Sequence, residues 1–333
     1  MATKNASDRI RIAVDAMGGD HSPEEIVKGV VAAAEDSGVE LLLVGPEHVI
    51  RDELKKYGSP NSNIGIVNAT EVVAMHERPV SAVKEKRDSS IVVGINLLGT
   101  GEVQSFLSAG NTGAVMTAAC LTIGRMRDLD RPALGAVFPF PRGPILCLDL
   151  GANPDCKPMT LVQFAQMGSI YMQKIFKIPN PRVGLLSTGE EDTKGSQLVL
   201  ETNKLLKTAG INFIGNVEGG DIASGKADVI VTDGFTGNVL LKLGEGLGEM
   251  LLESLKHAIE EDPNLREAAH LLAPTFQSVI GTLDYRQYGG ALLFGVNGNV
   301  IVAHGRSDAE AIKSAVKAAK KTVQQEVVEA LKG

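Results

Sequence analysis

The sequence is poor in cysteine, with three residues, Cys120, Cys147 and Cys156, and no CxxC spacing. An odd number without paired spacing excludes a disulfide framework and points to a reducing compartment. No run of about 18 apolar residues is present, so no segment reads as a membrane-spanning helix. The start, MATKNASDRI, is polar and lacks the apolar core of a signal peptide. Any membrane contact is therefore expected to be peripheral. A Lys/Arg stripe is also lacking: 33 basic residues face 40 acidic ones, for a net charge of −7. That balance excludes a nucleic-acid backbone as partner. The short basic cluster Lys84, Lys86, Arg87 reads as a solvated helix face that could also meet an acidic protein.

Several catalytic signatures are missing as well. There is no GxSxG elbow, no HExxH, no paired CxxC and no well-formed GxGxxG after the first strand. Covalent-serine, metal and nicotinamide chemistry all lose ground, and neither a metal nor a cofactor is expected. Residues 188–196, TGEEDTKGS, look superficially like a P-loop, but the order is Lys-Gly-Ser where a Walker sequence has Gly-Lys-Ser/Thr. Nucleoside triphosphate binding is rejected on that ground.

What is present is glycine and alternation. The 333 residues are 44% hydrophobic, enough for one large core or two lobes around a cleft. Short apolar runs end in Gly, Asn or Asp: IRIAVDAMGG, VELLLVG, NIGIVNA, SFLSAGNTG, ILCLDLGAN, RVGLLSTGEE, NFIGNVEGG and DVIVTDGFTGN. Helical periodicity separates them, as at Pro23–Asp36, Gln197–Thr208 and Val239–Glu260. This alternation predicts an α/β fold, a mostly parallel sheet flanked by helices. ALLFGVNGNVIVAHG adds a late β-hairpin around Asn297, Gly298 and Asn299. The final helix is expected to be capped by Ser307, with Glu310 completing a capping box. Without a repeat, linker or composition break, residues 10–333 read as a single α/β catalytic domain after a polar extension at 1–9. Residues 244–284 hold two helix-like stretches without an intervening strand, an inserted helical pair of the kind that serves as an oligomer contact, a lid or a surface-binding arm.

In parallel α/β sheets ligands bind beyond the carboxyl ends of the strands, so the strand ends supply the candidate site. The first strand delivers Asp15, Gly18, Gly19 and His21. Ser108, Gly110, Asn111, Thr112 and Gly113 end another and open an apolar helix, a place where backbone N–H groups and the helix dipole suit an anion. The same residues would equally serve as a plain helix cap. Asp233, Thr236 and Asn238 end a third strand, and Asp149, Asn153 and Asp155 a fourth. Lys194, beside a predicted helix start, could hold a phosphate as a point charge or be an ordinary exposed lysine. Of the histidines, only His21 lies in a glycine-rich strand-end loop.

Seven motifs, VDAMGGDHSP, SAGNTGAVMTA, DLGANPDCKP, GLLSTGEEDTKGS, FIGNVEG, VTDGFTGNV and YGGALLFGVNG, occur in this order. Together they resemble the bacterial phosphate acyltransferase family from Ile10 to the C-terminus. The resemblance implies transfer of a long-chain acyl group from acyl carrier protein to inorganic phosphate, giving an acyl-phosphate for phospholipid synthesis. It also implies a homodimer and a fold like the isocitrate and isopropylmalate dehydrogenases and the phosphate acetyltransferases. A cytoplasmic location at the inner membrane face follows, with the product handed to a membrane glycerol-phosphate acyltransferase. Strand-end placement and the family motifs assign Lys194 to phosphate, Asp233 and Asn238 to the reacting end, and His21 to proton donation. Asp15, Gly18, Gly19, Asn153, Thr236 and the Ser108–Gly113 loop are expected to line the substrate pocket, and Leu271, Leu272 and Phe276 to touch the membrane. The rivals are a phosphate acetyltransferase using coenzyme A thioesters, an isopropylmalate-type dehydrogenase, and a dimeric lipid-surface adaptor without catalysis.

Overall fold

The computed structural model describes residues 9–58, 62–261 and 289–332. Strands and helices alternate from the start: β1 (Arg11–Asp15), α1 (Glu24–Ser37), β2 (Glu40–Gly45), α2 (Glu47–Lys55) and β3 (Ile64–Asn68). Two helices in succession, α3 (Pro79–Glu85) and α4 (Ser90–Gly99), lead to β4 (Ser105–Ser108) and α5 (Thr112–Thr122). A hairpin of β5 (Ala133–Phe140) and β6 (Gly143–Leu148) precedes α6 (Pro158–Phe176). Then come β7 (Val183–Leu186), α7 (Gln197–Leu206), β8 (Phe213–Val217), β9 (Val229–Val231) and α8 (Gly234–Glu261). The chain finishes with β10 (Ala291–Phe294), β11 (Asn299–Val302), α9 (Ala309–Gln324) and α10 (Val327–Leu331).

All the strands join one sheet in the order β3-β2-β1-β4-β11-β10-β5-β6-β9-β7-β8. The flanks β3-β2-β1-β4-β11 and β6-β9-β7-β8 are each parallel, and the antiparallel pairs β11-β10, β10-β5 and β5-β6 connect them. Alternate residues of β1 enter opposite cores: Ile12 and Val14 join the one that includes α1 and α9, while Ala13 joins the one that includes α4 and α5. A sheet buried on both faces needs strands that are apolar throughout, which is why the central strands read as uninterrupted runs. Helix α4 rests so closely on β4 that a Cβ at Gly94 would lie 2.2 Å from the Phe106 ring.

The mixed α/β architecture, the mostly parallel sheet and the late β10-β11 hairpin are as expected. Three details differ. Strand β5 escaped notice because ALGAVFPF carries a proline, Pro139, near its end and no polar strand-end signal. Helix α8 starts at Gly234, not near Val239, because Asp233 caps it and the glycines of GFTGN do not stop it. The cap of α9 is Asp308, whose side chain accepts the Ala311 N–H at 3.0 Å. Ser307 is buried and instead donates its backbone N–H to His304 O. Of the helical pair, the first stretch is the distal part of α8; the second, with Leu271, Leu272 and Phe276, lies outside the described residues.

Candidate active site

The loops after β1 and β4 are locked together by a buried carboxylate. Asp15 accepts the Ser108 hydroxyl at 2.7 Å and the Met17 N–H at 3.0 Å. Burial pushes the Asp15 carboxyl above its ordinary value, against the pull of hydrogen bonds from Ser90 and Ser108. The loops touch backbone to backbone: a Cβ at Gly18 would lie 2.5 Å from the Asp15 carboxylate and 2.6 Å from Gly110 N. Gly19 takes φ +104°, a conformation that favours glycine. These residues therefore shape the site without facing into it.

Helix α5 begins where these loops meet. Asn111 caps it, accepting the Ala114 N–H at 3.0 Å, while its amide donates to the carbonyls of Ala74, Met75 and Glu77. The capping reading of Asn111 thus holds, with a clamp on residues 74–77 added. Gly113 allows close packing, since a Cβ there would sit 2.5 Å from Pro79. The cap leaves the N–H groups of Thr112 and Gly113 unused, and Thr112 faces an open cleft. The positive end of a helix dipole with two unused donors is a place for an anion.

The loops after β6 and β9 form a second pair. Asp149 draws its own loop around itself, accepting N–H groups from Leu134, Gly151, Ala152 and Asn153 and the Asn153 side-chain amide. Burial pushes its carboxyl up, and these donors oppose that push. Gly234 N–H donates to Asn153 O at 2.8 Å, which ties the two loops. Asp233 is the cap of α8: its two oxygens accept the N–H and the hydroxyl of Thr236. Asn238, one turn into α8, lies against Gly151.

A cleft of 540 Å³ joins the two pairs of loops. Thr112 lines one side, Gly151 and Asn238 the other, and Leu134, Val137, Phe138, Leu150 and Leu241 form an apolar wall. Five polar residues that sequence reading missed complete it: Asp20, Lys242, Glu245, His304 and Arg306. His304 Nδ1 accepts the Arg306 N–H at 3.2 Å, and Nε2 lies 3.7 Å from a Glu245 oxygen. With Nδ1 accepting, a neutral ring carries its proton on Nε2. A signal was available: β11 runs parallel to β4, so AHGRS leaves a strand at the same edge as SAGNTG.

The remaining predicted residues lie apart from the cleft. Lys194 is exposed on the turn before α7, and His21 is exposed at the start of α1. Asn153 is buried and lines a neighbouring cavity instead. Among the described residues no group of three or more His, Cys, Asp or Glu side chains could hold a metal ion.

A family model described as "Fatty acid synthesis protein" matches residues 10–330. A phosphate acyltransferase of Heliobacterium modesticaldum is 49% identical over 323 residues, covering 97% of this chain and 96% of that one. One from Dictyoglomus turgidum is 50% identical over 320 residues, covering 96% and 95%. Among solved structures, a phosphotransacetylase from Streptococcus pyogenes aligns with TM-score 0.64 at 16% identity, over 98% of this chain and 95% of that one. A 4-hydroxythreonine-4-phosphate dehydrogenase from Klebsiella pneumoniae aligns with TM-score 0.56 at 12% identity, over 95% and 100%. At these identities the structural likeness speaks for the fold alone. It places the architecture beside these two groups and not specifically beside isocitrate dehydrogenase. Near-full-length relatives at about half identity decide the matter: the chain belongs to the phosphate acyltransferase family.

Proposed function

We propose that this protein transfers a long-chain acyl group from acyl carrier protein to inorganic phosphate, releasing an acyl-phosphate for phospholipid synthesis. One observation carries the proposal: the start of α5, Lys242 and Arg306 surround a cleft that also has an apolar wall, so an anion and an acyl chain fit side by side. Phosphate sits at the Thr112 and Gly113 amides, with the two cations adding charge. One of its anionic oxygens attacks the thioester carbonyl, forming the C–O bond, and Asn238 donates to the developing oxyanion. Collapse breaks the C–S bond, and the leaving thiolate accepts a hydrogen bond from the His304 Nε2–H while water supplies its proton. That role falls to His304 in the cleft and not to the exposed His21. Lys194 and Asp233 act at a distance, Lys194 by drawing phosphate toward the loops and Asp233 by fixing the start of α8. Positioning and desolvation lower much of the barrier, so no covalent enzyme intermediate is needed.

In this reading residues 10–333 work as one catalytic domain, with an architecture akin to the isocitrate and isopropylmalate dehydrogenases and an arm over residues 244–284. The protein acts as a homodimer at the cytoplasmic membrane face, passing its product to a membrane glycerol-phosphate acyltransferase. Among the described residues no helix is long and apolar enough to cross a membrane. A stripe on α8, with Phe235, Val239, Leu243, Leu247, Leu251 and Leu255 all exposed, supports an arm that is covered in use. The deciding assay is phosphate-dependent release of free carrier from palmitoyl-acyl carrier protein, with palmitoyl-phosphate detected by mass spectrometry. Consumption of acetyl-coenzyme A with no reaction of the carrier thioester would reassign the chain to phosphate acetyl transfer.

A further inference from the structure

Behind the cleft lies a larger cavity of 810 Å³, which the reaction described above does not use. The two are neighbours along α5: Thr112 lines the first, and Met116, one turn on, lines the second. They also share a wall, with Leu150 and Gly151 facing the first and Ala152 and Asn153 the second. Following α5 from Thr112 to Leu121 spans about 14 Å at the usual helical rise.

The far mouth is positively charged in a chain that is negative overall. Lys84, Arg125, Arg131 and Lys157 come to it from three separate segments, α3, the loop after α5 and the start of α6, against the acids Asp130 and Asp155. Elsewhere several cations are held by carboxylates, as in Arg11–Glu40, Arg51–Glu47, Lys86–Glu77, Arg182–Asp228, Lys207–Asp192 and Lys226–Glu190. Among the described residues none of these four mouth cations joins an ion pair. The rim is apolar as well as basic: Leu121 is 62% and Val80 54% exposed. Unpaired cations around exposed apolar side chains form the surface an acidic protein partner would cover.

We infer that this mouth docks an acidic carrier protein, whose phosphodiester-linked arm runs along α5 and brings its thioester to the Thr112 end. The inference rests on the carrier-thioester reading given above. It explains why a second cavity rimmed by cations lies beside the reacting cleft, and why those cations are left without carboxylates of their own.

The test uses the full-length protein and the double variant Arg131→Glu, Lys157→Glu, with the milder Lys84→Gln, Lys157→Gln as a second. Carrier binding is measured by fluorescence anisotropy of a labelled, unacylated carrier protein, and turnover with both the carrier thioester and a neutral acyl-N-acetylcysteamine thioester. Charge reversal is expected to weaken carrier binding and raise the carrier-thioester KM by about tenfold or more, and to flatten its dependence on salt. The kcat/KM for the neutral thioester should stay within about twofold, because these residues do not touch the reacting atoms. Unchanged carrier binding, or an equal loss with both donors, overturns the docking face. So does a variant that loses anionic phosphatidylglycerol vesicles while keeping its carrier KM, which would reassign the mouth to a lipid surface. Failure of the wild type to make acyl-phosphate from any thioester would overturn the proposed reaction instead, and carrier binding lost only in the variants would still uphold the docking face.

Discussion

Ser108 donates its hydroxyl to Asp15 at 2.7 Å, a bond between the ends of adjacent strands 93 residues apart in the chain. It holds the two glycine-rich loops against one another and so fixes where α5 begins. Ser108→Ala would leave a buried carboxylate short of a donor, at a cost of about 1–3 kcal/mol. The melting temperature should fall, and the phosphate KM should rise more than kcat changes.

Asp15 also gives a pH signature. Burial raises its folded pKa above the ordinary 3.8, so its contribution to stability is complete below that value and is lost as the pH rises through the raised one. Asn at this position does not titrate. The melting temperature of Asp15→Asn relative to wild type should therefore increase as the pH rises from the ordinary value of 3.8 through the raised one, and a flat difference would contradict the assignment.

Close approach predicts which glycines resist change. A Cβ at Gly237 would lie 1.9 Å from Asp149 O, forcing the loops after β6 and β9 apart. Gly237→Ala should destabilise by roughly 1–3 kcal/mol and reduce turnover. A Cβ at Gly219 would meet nothing within 4 Å, so Gly219→Ala, within about 0.5 kcal/mol of wild type, is the control. Urea unfolding of the two variants makes the comparison.

His304 and Asn238 should separate from the phosphate-holding groups in kinetics. His304→Gln is expected to lower kcat by roughly 10² with little change in phosphate KM. Asn238→Ala should cost about 10² to 10³ in kcat with little change in phosphate KM. Lys242→Met should do the reverse, raising the phosphate KM with kcat nearly intact. Equal effects of all three on KM would dissolve the division of roles.

The cysteines should be sluggish toward alkylation. Burial, with Asp149 adding to it, pushes the Cys156 thiol up to about 11 from 9.0, and burial pushes Cys147 up to about 12. Near neutral pH Cys156 then holds about 100-fold less thiolate than an ordinary cysteine, and iodoacetamide labelling followed by mass spectrometry should show that deficit.

Much of the fold was legible because a sheet buried on both faces requires apolar strands, and those strands stop abruptly at glycine and aspartate. Individual roles were less so. A strand-terminal aspartate looks the same whether it meets substrate or, like Asp233, caps a helix. Asn111 and Thr112 are neighbours in one motif, yet the first is spent on capping and clamping and the second faces the cleft. His304 and Arg306 were passed over because their loop follows a strand that reads as a terminal hairpin. Only pairing shows that β11 enters the sheet beside β4.

That insertion has a consequence for how the molecule comes into being. The Ser105 hydroxyl donates to Asn299 O across 194 residues of chain, and β11 ends the first parallel flank, joined through β10 and β5 to the second. Closing so long a loop is entropically costly and kinetically slow. A nascent chain can assemble β1 to β4 early, but it cannot unite the halves until β10 and β11 have left the ribosome. The wall carrying His304 and Arg306 thus forms after β1 to β9, and a chain stalled before β10 would expose the unpaired edges of β4 and β5 to aggregation.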